Sequence, residues 1–560
     1  MMTDPKPPAG DSSARAPLRF AVMCSGVSIN ACWVEAVRRL QAATGAELAL
    51  LIVDPAPPIR SSAMTELRKV LAFSDNLWHL HNRIFRLDAM AAHKQVPLAE
   101  LGEGIPQRAC QTTLRGEWSQ HFHPDDIAYI QSLDLDFILK FAYGIIRGDI
   151  RTAARHGVWS FHHGDEQQFR GGPPAFWEIA TDVPLQAAIL QRLTERLYGG
   201  IILDKIWVLA EPLGYRRNLA RIVAASLDMP AKAARALQHG RIERVAAAPL
   251  STNARIHSAP TDREMVGFRA RVAANYFHYK RENQVFERWN IGVVRAPISR
   301  FLDPHFRPEI EWAPYHRRGH GLADPFSLPE GEGLRVLCEE YSFFKERGWI
   351  SDLFWNPRTG WGGVRTVLEQ DVHVSYPYPV RHEGRIYCTP ECGARNRLTL
   401  YRIEADRLVP ERTILEGPRL IDSTIVEHRG RWWLFCTRAD DEPNAKLNIF
   451  HAPSAIGPWT PHAGNPVKID IRSSRPGGTP FVHEGRLYRP AQDCTVRYGG
   501  HMAINEVTRL SPDEFGEIPL RWIGPFTDAP RTHGFTRYIH PGNLRWSTLS
   551  GAVLTGRYCA

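Results

Sequence analysis

The segment IDSTIVEHRGRWWLFCTR (421–438) decides the fold of the larger part of this chain, because its template recurs. An apolar strand entry leads into a polar turn ending in Gly-Arg, and an apolar-aromatic strand follows. SYPYPVRHEGRIYCTPE (375–391) and RPGGTPFVHEGRLYRPAQD (475–493) repeat it, and ADPFSLPEGEGLRVLCEEY (323–341) fits with a slightly longer turn ending at Gly333. The turn glycines Gly333, Gly384, Gly430 and Gly485 are 51, 46 and 55 residues apart. Hairpin repeats of this period are what propeller blades look like, each a four-stranded sheet that cannot bury both faces alone. Four repeats with sequence on both sides predict an all-β, five-bladed propeller over 289–560. WNIGVV (289–294) and THGFTRYIHP (532–541) are expected to close the fifth blade.

Aligning the repeats on their turn glycines places Asp324, Tyr376, Asp422 and Gly477 in one column, eight or nine residues before the glycine. A second column, seven residues after it, holds Glu340, Glu391, Thr437 and Gln492, with Asp493 beside the last. Strand ends in register around a propeller converge on its axial channel, so these carboxylates are expected to share a pocket. A ring of acids there suits glycoside chemistry, in which one carboxyl protonates a leaving oxygen and another activates water or attacks carbon. Trp432, Trp433 and Trp459 are expected to pack the blades.

The first third of the chain reads differently. LRFAVMCSG (18–26), ELALLIVDP (47–55) and DLDFILKFAYGII (134–146) are buried-strand candidates, and Trp33, Val37 and Leu40 mark one face of a helix over 31–43. Apolar strands separated by helices predict an α/β domain over 18–205 with a mostly parallel sheet, whose ligands bind beyond the carboxyl ends of the strands. Residues 1–17 read as a Pro/Gly/Ser-rich tail. Residues 206–288 read as a helical connector, in which 211–250 hold seven Lys/Arg against three Asp/Glu.

Composition narrows the function classes. With 560 residues, 43% hydrophobic and 23% charged, the chain is an ordinary multidomain globular protein. The 69 Lys+Arg against 60 Asp+Glu leave only +9, and no basic block interleaved with aromatics marks a nucleic-acid surface. Nine scattered cysteines predict free thiols in a reducing, cytoplasmic compartment, and no apolar run is long enough for a membrane span. Cys388 and Cys392 lack a second Cys/His pair, so no metal site is expected.

The order GVWSFHHGDEQQFRGGPPAFWEI (157–179), after a strand and before LYGGIIL (197–203), resembles the core of the formyltransferases that use 10-formyltetrahydrofolate, the methionyl-tRNA and sugar N-formyltransferases among them. The resemblance implies a Rossmann-like domain in which an Asn, a His and an Asp surround the amine and the formyl carbonyl. His162 matches the His, Ser160 stands at the Asn position and Gly200 at the Asp position, so a degenerate site is expected, with Asp165 a candidate replacement carboxylate. Ser160, Arg170 and Gly171 would line a cofactor mouth. Residues 290–540 resemble the five-bladed propellers of family 43 glycoside hydrolases. They are closer still to the propeller domain named after the N-terminal part of plant glucosamine inositolphosphorylceramide transferases, through Ala323-Asp324-Pro325-Phe326, Gly457-Pro458-Trp459 and Arg489-Pro490-Ala491-Gln492-Asp493. In the hydrolases a first-blade Asp is the general base and a middle-blade Asp tunes the acid, roles that fall on Asp324 and Asp422. The acid itself, a Glu in a later blade, has no counterpart in the fourth repeat, which leaves Glu391 or Asp493 to replace it.

The combined expectation is a carbohydrate-active protein of glycan metabolism acting on glycosidic bonds or glycosyl donors. The alternatives are a sugar N-formyltransferase whose propeller holds the glycan, and a glycan-binding scaffold without catalysis. A filter-binding titration with duplex DNA or RNA at about 0.15 M salt is expected to show only weak, salt-sensitive association. Tight, sequence-selective binding would refute the reading of 211–250.

Overall fold

A computed structural model describes residues 17–55, 76–84, 94–116, 119–197, 199–241, 253–282, 287–495, 500–524 and 552–559. The apolar run near the N-terminus forms the central strand Arg19–Ser25, with Phe20 to Cys24 all buried. Alternation divides them between two cores: Phe20, Val22 and Cys24 face one layer, Ala21 and Met23 the other. A strand covered on both faces needs such a continuous apolar run. The sheet runs 201–209, 185–192, 158–162, 137–140, 19–25, 47–54 and 107–109. It is parallel from 158–162 to 107–109 and antiparallel at the other end, a Rossmann-like α/β domain. Helix Ala31–Thr44 ends at Gly45, whose φ of +67° supplies the left-handed cap.

The connector expected over 206–288 is built differently. Strand Ile201–Leu209 crosses the expected boundary at 205, and helices Tyr215–Ser226 and Met229–Gln238 bury Leu219, Ile222, Met229 and Leu237 in the α/β core. Their alanines let the helices lie close on the sheet, so the segment is an outer layer of the domain. Three of its basic residues are engaged internally: Arg221 pairs with Glu442, Lys232 with Asp204 and Arg241 with Glu514.

The second half forms five sheets around an axis. Four are hairpin-built, over 320–368, 375–416, 420–469 and 481–523. The fifth joins Glu287–Val294 with Ile310–Trp312 on one side and Ala552–Cys559 on the other. The closing strand is therefore 552–559, while the 532–541 segment expected in that role lies outside the described residues. Buried Trp433 and Trp459 pack between strands, as blade residues do. No helix among the described residues is long and apolar enough to cross a membrane.

The two halves share one hydrophobic cluster, in which Ala445, Ile469, Ile471 and Cys494 of the propeller rim join the α/β core. At its edge Lys446, 1% exposed, donates to Asp228 at 2.9 Å and to Asp441 at 2.8 Å, and Arg39 donates to Asp228 at 2.9 Å. Burial works against the Asp228 carboxylate, but Lys446 and Arg39 outweigh it and hold its pKa below the ordinary value. A depressed pKa contributes stability that is present above the unfolded value and lost as pH falls through the folded one. Lys446→Met is expected to destabilise the protein by about 3 kcal/mol, with much of the loss recovered in Lys446→Met/Asp228→Leu. Denaturant unfolding at neutral pH checks both, and a single-variant loss under about 1 kcal/mol would mean the interface does not depend on this pair.

Candidate functional site

Each of the first three blades enters its innermost strand through a bulge. Pairing shifts between Ala323 and Phe326, between Ser375 and Tyr378, and between Ile421 and Thr424. At each bulge one residue takes a left-handed conformation: Asp324 (φ +52°), Tyr376 (+46°) and Asp422 (+52°). A bulge re-aims a side chain at the end of a strand. Here Asp324 and Asp422, with Glu391, line one cavity of about 380 Å³ at the mouth of the propeller axis. In the fourth blade the column holds Gly477, where a Cβ would lie 2.5 Å from Met502 Cε and 3.0 Å from the Ala491 backbone. That space admits no fourth carboxylate.

The second column needs a correction in the first blade. Three hairpins turn through two positive-φ residues, Glu383-Gly384, Arg429-Gly430 and Glu484-Gly485, the geometry of tight two-residue turns. The first blade turns at Gly331-Glu332, and Gly333 already belongs to the following strand. Anchoring on Gly333 slips the register by one residue, which exchanges the faces of the strand. The residue equivalent to Glu391 is therefore Glu339: Ala323 faces Glu339 as Ser375 faces Glu391 and Ile421 faces Thr437. Glu339 lines the cavity. Glu340 points away and accepts hydrogen bonds from Tyr315 and Arg317 at 2.8 Å and from Ser351 at 2.8 Å.

The same alternation removes Asp493. Gln492 faces inward and donates from Nε2 to Asp422 Oδ2 at 2.8 Å, whereas Asp493 caps the next turn by accepting from the Thr495 N–H at 3.0 Å. Sequence reasoning also missed Trp289, Tyr341, Phe343 and His373, which line the same cavity. Their signal was the extra closing sheet and the one-residue register slip.

Within the cavity Asp422 Oδ2 also accepts from Arg475 Nε at 2.7 Å, and Glu391 Oε2 accepts from the Asp422 N–H at 2.9 Å. Burial, then the charge of Asp422, push the Glu391 pKa up to about 8 against the pull of Arg475, and Asp324 adds to the rise. Both causes favour the protonated form of Glu391. A larger cavity of about 640 Å³ lies behind the second blade. Its acids Glu369, Asp371 and Glu411 each pair with an arginine, so it lacks this arrangement.

The formyltransferase-like centre is altered beyond its two substitutions. His162 Nε2 lies 2.9 Å from the Phe169 carbonyl, which can only accept, so Nε2 carries the hydrogen. Burial lowers the His162 pKa. Asp165 does not replace the missing carboxylate, because Lys205 holds it at 2.8 Å and the Gln167 N–H and Gln168 side chain also donate to it. A Cβ on Gly200 would lie 2.2 Å from Gln191 Oε1, so glutamine fills the space an Asp side chain would need. Arg170 and Gly171 do not line an open mouth. They pair with Ile256–His257, Arg170 donates to the Ala254 carbonyl at 3.1 Å, and His257 packs on Trp177 at 4.3 Å between ring centroids.

Residues 318–527 match the family described as "Glucosamine inositolphosphorylceramide transferase 1, N-terminal". Glucosamine inositolphosphorylceramide transferase 1 of Oryza sativa subsp. japonica is 34% identical over 207 residues, 36% of this chain and 28% of the relative. That of Arabidopsis thaliana is 33% identical over 228 residues, 39% of this chain and 30% of the relative. The chain thus spans less than a third of these relatives. Among solved structures, glycinamide ribonucleotide transformylase 1 of Symbiobacterium toebii is similar at 16% identity and TM-score 0.26, covering 40% of this chain and 89% of that one. The α-L-arabinofuranosidase CtGH43 of Clostridium thermocellum is similar at 9% identity and TM-score 0.28, covering 36% and 74%.

Because the Glu391 pKa is raised, the folded state keeps a proton that the unfolded chain releases, and stability falls as pH rises from the ordinary carboxyl value toward about 8. Glu391→Gln is expected to remove that loss. The melting temperature of the variant minus that of the parent should grow across this interval, and a constant difference would refute the buried acid.

Proposed function

We propose that this protein is a carbohydrate-active enzyme that breaks or transfers a glycosidic bond in the propeller funnel. The observation that carries the reading is the convergence of Asp324, Glu391 and Asp422 on one cavity, in which burial and the charge of Asp422 push the Glu391 pKa up to about 8. A carboxyl with its pKa tuned into the neutral range is suited to give a proton to a glycosidic oxygen as the bond to the anomeric carbon breaks. Asp324 is the group assigned to accept the proton of the incoming water or acceptor hydroxyl. Asp422 touches Glu391 through its N–H and raises its pKa through its charge, while Arg475 and Gln492 fix the Asp422 carboxylate in place. Trp289, Tyr341 and Phe343 offer apolar faces to a sugar ring. The name of the plant relatives supports a substrate in which a sugar is attached to, or moved onto, a larger acceptor. The α/β domain is assigned no formyl transfer, and the eight cysteines whose side chains are described are free thiols, which supports a reducing, cytoplasmic setting.

A second reading, glycan binding without turnover, is favoured by the absence of space for a fourth-blade acid at Gly477. One experiment separates the two. Turnover is measured on a panel of chromogenic glycosides and nucleotide-sugar donors, alongside glycan binding. The enzyme reading expects activity that declines as pH passes about 8, and a loss of roughly a hundredfold or more in kcat for Glu391→Gln and for Asp324→Asn. Binding that survives without turnover in the parent protein selects the scaffold. Unchanged turnover in both variants would move the chemistry out of the funnel.

A further inference from the structure

The carboxyl end of the parallel sheet in the α/β domain holds a lysine that neither the funnel nor the formyltransferase resemblance explains. Lys140 ends strand Phe137–Lys140 and stands between Met23 and Ser160 of the neighbouring parallel strands. Ser160 in turn faces Gln191 across the next strand pair. Residues paired across a sheet share a face, and alternate residues along a strand return to it. Lys140, Ser160 and Gln191 therefore form one row, with His162 next along the same face toward the strand end. The row continues the face of Ile138 and Val158, both wholly buried.

Among the described residues Lys140 has no hydrogen-bond or ion-pair partner, and burial is what lowers its pKa from 10.5 to about 8. The residue as a whole is half-buried, and it stands at the carboxyl end of the parallel strands, where open α/β sheets take up their ligands. A lysine withdrawn from water is held at a loss unless something anionic reaches it. Across the row the polar groups are complementary to such a guest. The amine carries only donors, the Ser160 hydroxyl, whose contact to the Phe161 carbonyl is a long 3.5 Å, can donate, and the His162 ring, committed through Nε2 to Phe169, presents Nδ1 as an acceptor for a neighbouring hydroxyl or amine. No carboxylate of the old catalytic centre neutralises Lys140: Asp165 is held by Lys205, and Gln191 occupies the space beside Gly200.

We propose that Lys140 is the anion-binding residue of a second site, in which its ammonium and the Ser160 hydroxyl hold an oxyanion, carboxylate or phosphate, of a small ligand next to His162. This site is separate from the funnel, and it makes the α/β domain a ligand-binding module rather than a vestige.

Competitive labelling of the full chain tests it. The protein is treated with trace acetic anhydride, and acetylation of Lys140 and of exposed Lys345 is followed by peptide mass spectrometry, alone and with formate or inorganic phosphate. Acetylation of Lys140 is expected to slow about tenfold at ten times the dissociation constant of the anion, with Lys345 unaffected. Protection by formate alone identifies a carboxylate site, by phosphate alone a phosphate site, and by both a general oxyanion site. The same anion should raise the melting temperature of the parent protein and leave that of Lys140→Met unchanged. Absence of protection by either anion overturns the proposal. Because labelling is done on the parent protein, this outcome is decisive even if the variant fails to fold.

Discussion

Everything at the funnel depends on a backbone that has been forced out of its preferred basin. Asp324, Tyr376 and Asp422 carry φ near +50° at the entry of three successive blades. Side-chain-bearing residues lose of the order of 1–3 kcal/mol in such a conformation, and they persist in it only where the surroundings over-determine it. The surroundings here are the strand pairs on either side of each bulge. The same twist that turns the Asp422 carboxylate toward Arg475 and Gln492 also turns its N–H toward Glu391. One backbone deviation thus sets both the position of a carboxylate and the hydrogen bond to its neighbour. Where the blade cannot accommodate a side chain, at Gly477, the ring of acids is interrupted.

Most of this was legible in the chain before its fold was known, because hairpin turns advertise themselves and a strand has a period of two. The three Glu/Arg-Gly turns carry the residues their positive φ values demand, so the columns through Asp422 and Glu391 follow directly. The first blade misleads because it offers two glycines, Gly331 and Gly333, and the turn uses the earlier one. The resulting one-residue error replaces Glu339 with Glu340, a residue whose four-way hydrogen bonding marks it as an anchor between strands. Asp493 fails for the related reason that neighbouring residues of a strand face opposite ways. In the α/β domain the apolar runs specified the sheet, but the fate of Arg170 and Gly171 did not follow from their own segment. Their partner, Ile256–His257, is more than 80 residues away, and nothing local announces the pairing.

The two halves show opposite treatments of charge. In the propeller, burial is used against a carboxyl: it raises the Glu391 pKa, and the charge of a second acid beside it adds to the rise. Between the halves, burial is overcome: Asp228 stays ionised because two cations reach it. The difference lies in the number and sign of the neighbours, since each carboxyl is withdrawn from water. The rim loops that carry Asp441, Glu442 and Asn444 connect these regimes. Glu442 is clamped by Arg221 of the α/β domain, and Asn444 accepts from the arginine that fixes Asp422.

The closing sheet has a consequence for how the protein is made. Its central strand, Glu287–Val294, pairs with nearby Ile310–Trp312 on one side, but its antiparallel partner on the other, Ala552–Cys559, comes roughly 260 residues later. A ribosome working at about 5–20 residues per second needs roughly 13–50 s to deliver that partner. Throughout this interval the nascent ring has an open seam, with one side of a buried strand exposed as an unpaired edge. The α/β domain, whose sheet is fully encoded by residue 209, has by then left the exit tunnel and can already cover the rim of the unfinished ring. Vectorial synthesis thus places the folded half where it shields the half still waiting for its last strand.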